Sequence, residues 1–395
     1  QSMRSQALAI CQFLKLETKW LNEVFNIPRS LLFSGHRIDL EGEYRFPAED
    51  EERVRLLIRQ HIQELKPANG YSSINVGADI IFAEEMLAFG ATMHIYLAFE
   101  EDKFRKRFAR FPDSWIKRYD KILEKVSSVT ITGSYDEGLN DANYQFNALY
   151  MSGVAELKSN SSGSELQALS LWDGLTKKRP GGTAAAVDIW KKLKIPTTIL
   201  KPLGKSELKN SPAPHYKGAQ AHENLCMLFA DVKGYSKLQG EQLILFSQHF
   251  MGACGKILDK NSSHLIVRRS QGDGLFLVFN SLQTAVQVSI EINSMLSATD
   301  WEKVGLPEGL CARFALDAGP CYSFIDPISQ QTDLSGAHVI RAARLEPVTP
   351  PGYIYASESF AALCVSKGVK AHFEFAGQVS LPKNYGEMRV YHLTN

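Results

Sequence analysis

Apolar residues fall at helical spacing over residues 5–27, "SQALAICQFLKLETKWLNEVFNI", and predict a helix that packs on the next elements of the chain. Beyond it, strand-like and helical runs alternate. "SLLFSGHRI" predicts a strand, and "EDEERVRLLIRQHIQEL" a helix whose acidic start suits the positive end of its dipole. The alternation continues with strand "YSSINV", helix "ADIIFAEEMLAFG", strand "TMHIYLAF" and a helical stretch through "EDKFRKRFARF" and "DSWIKRYDKILEKV". Strand "SSVTITG", helix "NDANYQFNALYMSGVAELK", strand "ELQALSLWD", helix "GTAAAVDIWKKLK" and strand "PTTIL" come next. Such alternation predicts a largely parallel sheet with helices on both faces.

The chain is therefore expected to open with a helix over residues 1–27 and an α/β, Rossmann-like domain over residues 28–202. Residues 203–222, "LGKSELKNSPAPHYKGAQAH", lose the apolar period and gather Pro, Gly, Ser and Lys, as a linker does. From 223 to 395 the order changes. Strand "NLCMLFADV" and helix "GEQLILFSQHFMGACGKILDK" lead to the hairpin "HLIVRRS"/"LFLVF", helix "SLQTAVQVSIEINSML" and strand "LCARFALDAG". This β-α-β-β-α-β order predicts an α+β, ferredoxin-like second domain. Helix "GAHVIRAARLEPV", strand "GYIYAS", helix "ESFAALCVSKG" and strands "HFEFAGQVSL" and "MRVYHL" close it, with no internal repeat.

At 395 residues, 44% hydrophobic and 22% charged, the composition is that of a globular chain with room for two cores. Lys plus Arg (44) nearly cancel Asp plus Glu (43), so nothing in the net charge argues for a nucleic-acid partner. The six cysteines (11, 226, 254, 311, 321 and 364) form no C-x-x-C pair and no zinc spacing, and read as reduced core residues of a cytoplasmic protein. No apolar run approaches the roughly 18 residues of a membrane span, and the start lacks an apolar segment followed by a cleavage site. No membrane partner is expected.

Two carboxylates interrupt the apolar pattern of the second domain. Asp231 ends its first strand in "LFADVKGYS", and Asp273 sits in the hairpin turn "QGDG". In a β-α-β-β-α-β fold the first strand lies beside that hairpin, so the two acids should approach each other. Close carboxylates repel unless a cation lies between them, and oxygen ligands suit Mg²⁺, which takes a few carboxylates plus substrate phosphates. Gly272 and Gly274 would let backbone and phosphate come close. A plain D-G turn beside an unrelated aspartate accounts for this pair equally well.

The segments "FADVKGYSKL", "RRSQGDGLFLVF", "RFALDAGPCY" and "DLSGAHVIRAARLEPVTPPGYIYAS" succeed one another in an order and spacing that resembles the class III nucleotidyl cyclase catalytic domain, over roughly residues 223–393. The resemblance implies that Asp231 and Asp273 hold two Mg²⁺ or Mn²⁺ ions per site. These ions bind the triphosphate and activate the ribose 3′-hydroxyl, which displaces pyrophosphate from the α-phosphate. It implies that the backbone of Val232, Lys233, Gly234, Tyr235 and Ser236 lies along the phosphates and that Arg344 stabilises the transition state. Arg341 precedes Arg344 by one turn, and a guanidinium suits phosphate oxygens better than an ammonium. By resemblance Lys383, in "SLPKNYGEM", grips the terminal phosphates. The family builds its sites across a head-to-tail dimer, so a homodimer with shared active sites is implied.

Two positions normally choose the base: Arg269, four residues before Asp273, and Asp333, which opens "DLSG". Asp333 is the adenine-type residue, whereas Arg269 replaces the usual Lys or Glu. Ile340 stands where the family has an asparagine that positions the ribose, and it cannot make that hydrogen bond. These departures resemble the bacterial pyrimidine cyclases of anti-phage signalling, implying a product of cyclic CMP or cyclic UMP. An adenylate cyclase making cyclic AMP is the alternative, and a catalytically inactive nucleotide-binding sensor is the reading from another class.

In the first domain, "PGGTAAAVDIWKKLKIP" opens a helix with Gly181, Gly182 and Thr183, whose backbone N–H groups suit an anion. The stretch resembles the Gly-Gly-Thr loop of the SLOG/lysine-decarboxylase-like superfamily. "FSGHRID" and "VGADIIFAEEML" place Ser34, Gly35, His36, Gly77, Ala78 and Asp79 near the same sheet end, where α/β folds bind ligands. A sensor that controls how the cyclase halves meet is the expectation, beside a plain scaffold.

Overall fold

Leu31, Leu32 and Phe33 are wholly buried in the computed structural model, which describes residues 2–18, 20–25, 28–40, 45–136, 139–175, 182–202 and 219–394. The chain divides into two units, Gln1–Pro214 and His215–Asn395. Most of the segment expected as a linker, and Gly181, lie outside the described residues.

The first unit begins with α1 (Ser2–Phe13) and α2 (Trp20–Val24). The single helix expected there is broken: Leu16 N donates to Cys11 O, and Lys15 takes a left-handed φ of 55°, a helix-ending turn made without glycine. Then come β1 (Arg29–Gly35), α3 (Glu51–Leu65), β2 (Asn69–Ser72), α4 (Ala78–Phe89), β3 (Thr92–Leu97), α5 (Glu101–Lys106), α6 (Asp113–Leu123) and β4 (Ser128–Ile131). The 23-residue α7 (Asn140–Ser162), β5 (Glu165–Leu171), α8 (Gly182–Lys192) and β6 (Thr197–Leu200) complete it.

The sheet order is β4-β3-β2-β1-β5-β6, and every pairing is parallel. The chain thus winds outward from β1 through β4, returns along α7 and starts again at β5. Helices α3, α4 and α6 pack on one another, as do α7 and α8. Right-handed crossovers on a sheet that reverses direction put these two sets on opposite faces. Helix α4 is apolar on nearly all sides because it is enclosed, with the Phe82 ring stacked 4.4 Å from Phe33.

The second unit runs through β7 (Ala219–Val232), α9 (Glu241–Phe246), α10 (Gly252–Lys260), β8 (Leu265–Gln271), β9 (Gly274–Phe279), α11 (Leu282–Ala298), β10 (Ala312–Ile325) and β11 (Thr332–Ser335). It ends with α12 (Ala337–Leu345), β12 (Ile354–Ser357), α13 (Glu358–Ser366), β13 (His372–Leu381) and β14 (Gly386–Thr394). A π-helical turn, Ser247–Met251, joins α9 to α10. The sheet order is β13-β14-β12-β10-β7-β9-β8, with β11 paired to β10. Alternation along β7 sends Leu225 and Met227 into a cluster with Ala342 of α12. All six cysteines are free. No helix among the described residues is long and apolar enough to cross a membrane.

Candidate functional site

Strand β7 pairs with β9 on one side and β10 on the other. Its last residues therefore emerge beside the β8–β9 turn, where Gly272 at φ 63° reverses the chain and presents Asp273. Burial, and then the neighbouring Asp231, push the Asp273 carboxyl above its ordinary range. After Val232 the backbone turns through Gly234 at φ 92° into a short 3-10 turn, Tyr235–Lys237. A cavity of about 530 Å³ opens here, lined by Asp231 through Ser236, Asp273, Arg313, Pro347, Thr349 and Pro351. Asp231, Val232, Lys233, Gly234, Tyr235, Ser236 and Asp273 are thus brought together.

The sequence pattern assigns no role to Arg313 or Glu346. Arg313 stands opposite Asp231 in the β7–β10 ladder and donates to its carboxylate, while its Nε lies 2.9 Å from Glu346 Oε1. Burial pushes the Glu346 carboxyl up; Arg313 opposes the shift, and Asp231 and Asp273 add to it. The signal in the sequence is a cation, Arg313, at the head of the strand run "RFALDAG". No cluster of three or more His, Cys, Asp or Glu able to hold a metal occurs among the described residues. The Asp231–Asp273 pair still suits Mg²⁺ or Mn²⁺, which complete their shells with phosphate oxygens and water. The Asp231 repulsion, which adds to burial in raising Asp273, is what a divalent cation would relieve.

The two expected base-reading residues meet each other elsewhere. Arg269 on β8 places Nη1 3.1 Å from Asp333 Oδ2 on β11 and donates through Nη2 to Thr332 O at 2.8 Å. Arg344 is half-buried on α12 and makes no hydrogen bond or ion pair among the described residues. Ile340, one turn earlier, is 47% exposed. Lys383 is exposed in the β13–β14 turn with φ 61°. None of Arg269, Asp333, Arg344 and Lys383 lines the Asp231 cavity.

Arg341 points the other way, into a buried polar cluster around Asp317. Asp317 is fully buried and accepts from Ala318 N (2.7 Å), Ser357 Oγ (2.7 Å) and Ser359 Oγ (2.5 Å), with Arg341 Nε 3.1 Å away. Burial alone would push this carboxyl up; Arg341, His338 and the hydroxyls outweigh it and hold it well below the usual range. His338, also buried, lies 3.4 Å from Asp317, and its own burial lowers its pKa. The cluster fastens α12, and with it Arg344, to β10 and α13.

In the first unit, the residues expected to bind a ligand hold one another. Gly35 N donates to Asp79 Oδ1 at 3.0 Å, and Asn75 donates to Oδ2 through N (3.2 Å) and Nδ2 (3.0 Å). Burial nevertheless pushes the Asp79 carboxyl up to about 6. Ala78 N donates to His36 O, and Ser170 Oγ to Ser34 O. Gly77 has φ 112°, and a Cβ there would fall 2.3 Å from Ile38 N. His36 is structural: it is buried and accepts from Asp173 N at 3.1 Å, while Arg45 grips Asp173 with two bonds of 2.7 Å. Gly182 begins α8 and Thr183 is buried in it.

Comparison with known proteins places these observations beside solved structures. The adenylyl cyclase CyaB from P. aeruginosa is 20% identical, with a TM-score of 0.40 over 45% of this chain and 96% of that one. The guanylate cyclase domain of RhGC from Catenaria anguillulae is 19% identical, with a TM-score of 0.39 over 44% and 98%. The guanylyl cyclase Cya2 is 18% identical, with a TM-score of 0.38 over 45% and 93%. No family model matches the chain, and no curated protein does.

Proposed function

We propose that this chain is a class III nucleotidyl cyclase that converts a nucleoside triphosphate to a 3′,5′-cyclic nucleotide and pyrophosphate. One observation carries the reading: Asp231 and Asp273, 42 positions apart, share one cavity with the Val232–Ser236 turn. The strand orders support an α/β, Rossmann-like first domain, and the Gly-Gly-Thr sequence that leads into α8 supports a SLOG-like loop. They also support a ferredoxin-like second domain, in which β10-β7-β9-β8 is the order of a βαββαβ unit.

Asp231 and Asp273 would hold Mg²⁺ or Mn²⁺, two ions per site, which supply charge neutralisation and a more acidic ribose hydroxyl. The chain's own residues do the positioning that phosphoryl transfer mostly requires. The 232–236 turn and Lys233 bind the triphosphate, and Arg313 keeps Asp231 in place until substrate enters. The 3′-oxygen bonds to the α-phosphorus with loss of its proton, and the bridging bond to pyrophosphate breaks. Arg344, Lys383, Arg269 and Asp333 lie outside the cavity, which supports a reading in which one chain carries two half-sites. A head-to-tail homodimer would join the Asp half of one copy to the Arg344 half of the other.

The Arg269 and Ile340 departures support a pyrimidine substrate, giving cyclic CMP or cyclic UMP as an anti-phage messenger in the cytoplasm. The Arg269–Asp333 pair leaves cyclic AMP as the alternative. The pairing of Asp231 with Arg313 favours a second class, a catalytically inactive nucleotide-binding sensor. Incubating the protein with each of ATP, GTP, CTP and UTP and Mn²⁺, then resolving products by chromatography, separates these. A cyclic pyrimidine nucleotide is expected, with Asp273→Ala reducing turnover at least 100-fold while the dimer persists. Nucleotide binding without any cyclic product would establish the sensor instead.

A further inference from the structure

A second cavity, of about 500 Å³, opens in the first unit. Its walls are the segments that come after four successive strands: Arg37 after β1, Asn75 after β2, Lys103–Phe111 after β3 and Tyr135 after β4. That is the carboxyl edge of the parallel sheet, where connecting loops converge on ligands.

The wall after β3 has its own logic. Phe104 and Phe108 are buried and fasten α5 and the adjoining 3-10 turn to the core. Lys103, Lys106, Arg107 and Arg110 recur at helical spacing and line the cavity with Arg37, and no carboxylate among the described residues lines it. Like charges at such spacing repel one another along a helix. Lys106, Arg107 and Arg110 make no ion pair among the described residues. Lys103 has an acidic neighbour, the exposed Asp102 at 3.7 Å. Arg107 is held by rings, its Cζ 4.9 Å from the centroid of Tyr144 and 5.7 Å from that of Phe99. Ring faces fix a guanidinium without cancelling its charge. A cleft lined by one sign of charge concentrates counter-ions.

We propose that this cavity binds a nucleotide, with its phosphates on Lys106, Arg107 and Arg110 and its base against the ring of Tyr135, which is 40% exposed. Neither Gly182 nor Thr183, the anion site expected from sequence, lines it. The chemistry asks for several negative charges, which three unpaired cations would match, and for a planar group beside them.

The test is calorimetric titration of the full chain in a metal chelator with ATP, CTP, inorganic triphosphate and the nucleosides adenosine and cytidine. Arg107→Ala/Arg110→Ala is expected to weaken nucleotide binding at least tenfold. Tyr135→Ala should weaken nucleotide but not inorganic triphosphate, and Lys233→Ala, in the other cavity, should leave this binding intact. The replaced side chains at 107, 110 and 135 are exposed, so unchanged unfolding curves without ligand are expected and are measured alongside. A double variant that titrates like the parent chain, or nucleosides that bind as tightly as their triphosphates, overturns the site. Absence of cyclic product in the cyclase assay leaves this result untouched, so the two proposals fail separately.

Discussion

Arg313 and Asp231 face each other across the β7–β10 ladder, joined by a guanidinium-to-carboxylate hydrogen bond. The same arginine contacts Glu346, so one cation serves a group of acids that also includes Asp273. Removing it should expose their mutual repulsion. In Arg313→Ala we expect a loss of about 1–2 kcal/mol at neutral pH, discounted because the pair is partly exposed. Added Mn²⁺ should then raise the thermal midpoint of the variant more than that of the parent chain. An equal Mn²⁺ response in both would mean that Arg313 does not compete for the carboxylates.

In the proposed cyclase, the contact of Arg269 with Asp333, at 3.1 Å, would make base choice a property of a pair rather than of two independent side chains. Arg269→Lys keeps the charge but loses the planar fork, which also reaches Thr332 O. The expected outcome is a change of at least tenfold in the ratio of kcat/KM between pyrimidine and purine triphosphates. An unaltered ratio in both Arg269→Lys and Asp333→Ala would locate base reading elsewhere.

Much of this arrangement is readable in the sequence. The alternation of apolar runs with 3.6-residue periods fixes a parallel sheet, because strands buried on both faces need apolar residues throughout, as in Leu31–Phe33. The adjacency of Asp231 and Asp273 is a consequence of the β-α-β-β order. What stays hidden depends on register and depth. Arg313 meets Asp231 only because Ala312 pairs with Val232, a long-range alignment that no local pattern encodes. Asp317 and His338 look like ordinary polar residues until both are found buried. The break after α1 has no glycine or proline to announce it. The cationic residues after β3 carry their spacing in the sequence, but only the fold brings Arg37 and Tyr135 to them.

Asp79 should make the first unit more stable in mild acid. Its folded pKa, about 6, lies above the ordinary aspartate value. The proton is therefore bound more tightly in the fold, and its stabilisation is complete below about pH 4 and is lost as pH rises through 6. Between pH 5 and 7 the loss should be about 1 kcal/mol. Asp79→Asn removes that slope, and the difference between the two urea-unfolding profiles over pH 4–8 isolates it from the histidines. Parallel profiles would show that Asp79 is ionised in the fold throughout.

Gly319 holds α12 in place by having no side chain. A Cβ there would lie 2.2 Å from His338 Nε2, and it would meet a buried imidazole that cannot swing into solvent. His338 would have to leave Asp317, and the ring is the near neighbour of Arg341 in the same cluster. We expect Gly319→Ala to destabilise the chain by about 2–4 kcal/mol, in the range of overpacking combined with disruption of a buried polar network. Because Arg344 rides on the same helix, in the proposed cyclase kcat should fall further than the lost folded fraction explains. His338→Ala makes room for the new methyl, so Gly319→Ala/His338→Ala should lose less stability than the two single changes sum to. Urea unfolding of the four chains measures this directly. Strict additivity would mean that glycine is needed at 319 for its backbone alone, and that α12 is anchored by something other than the imidazole beneath it.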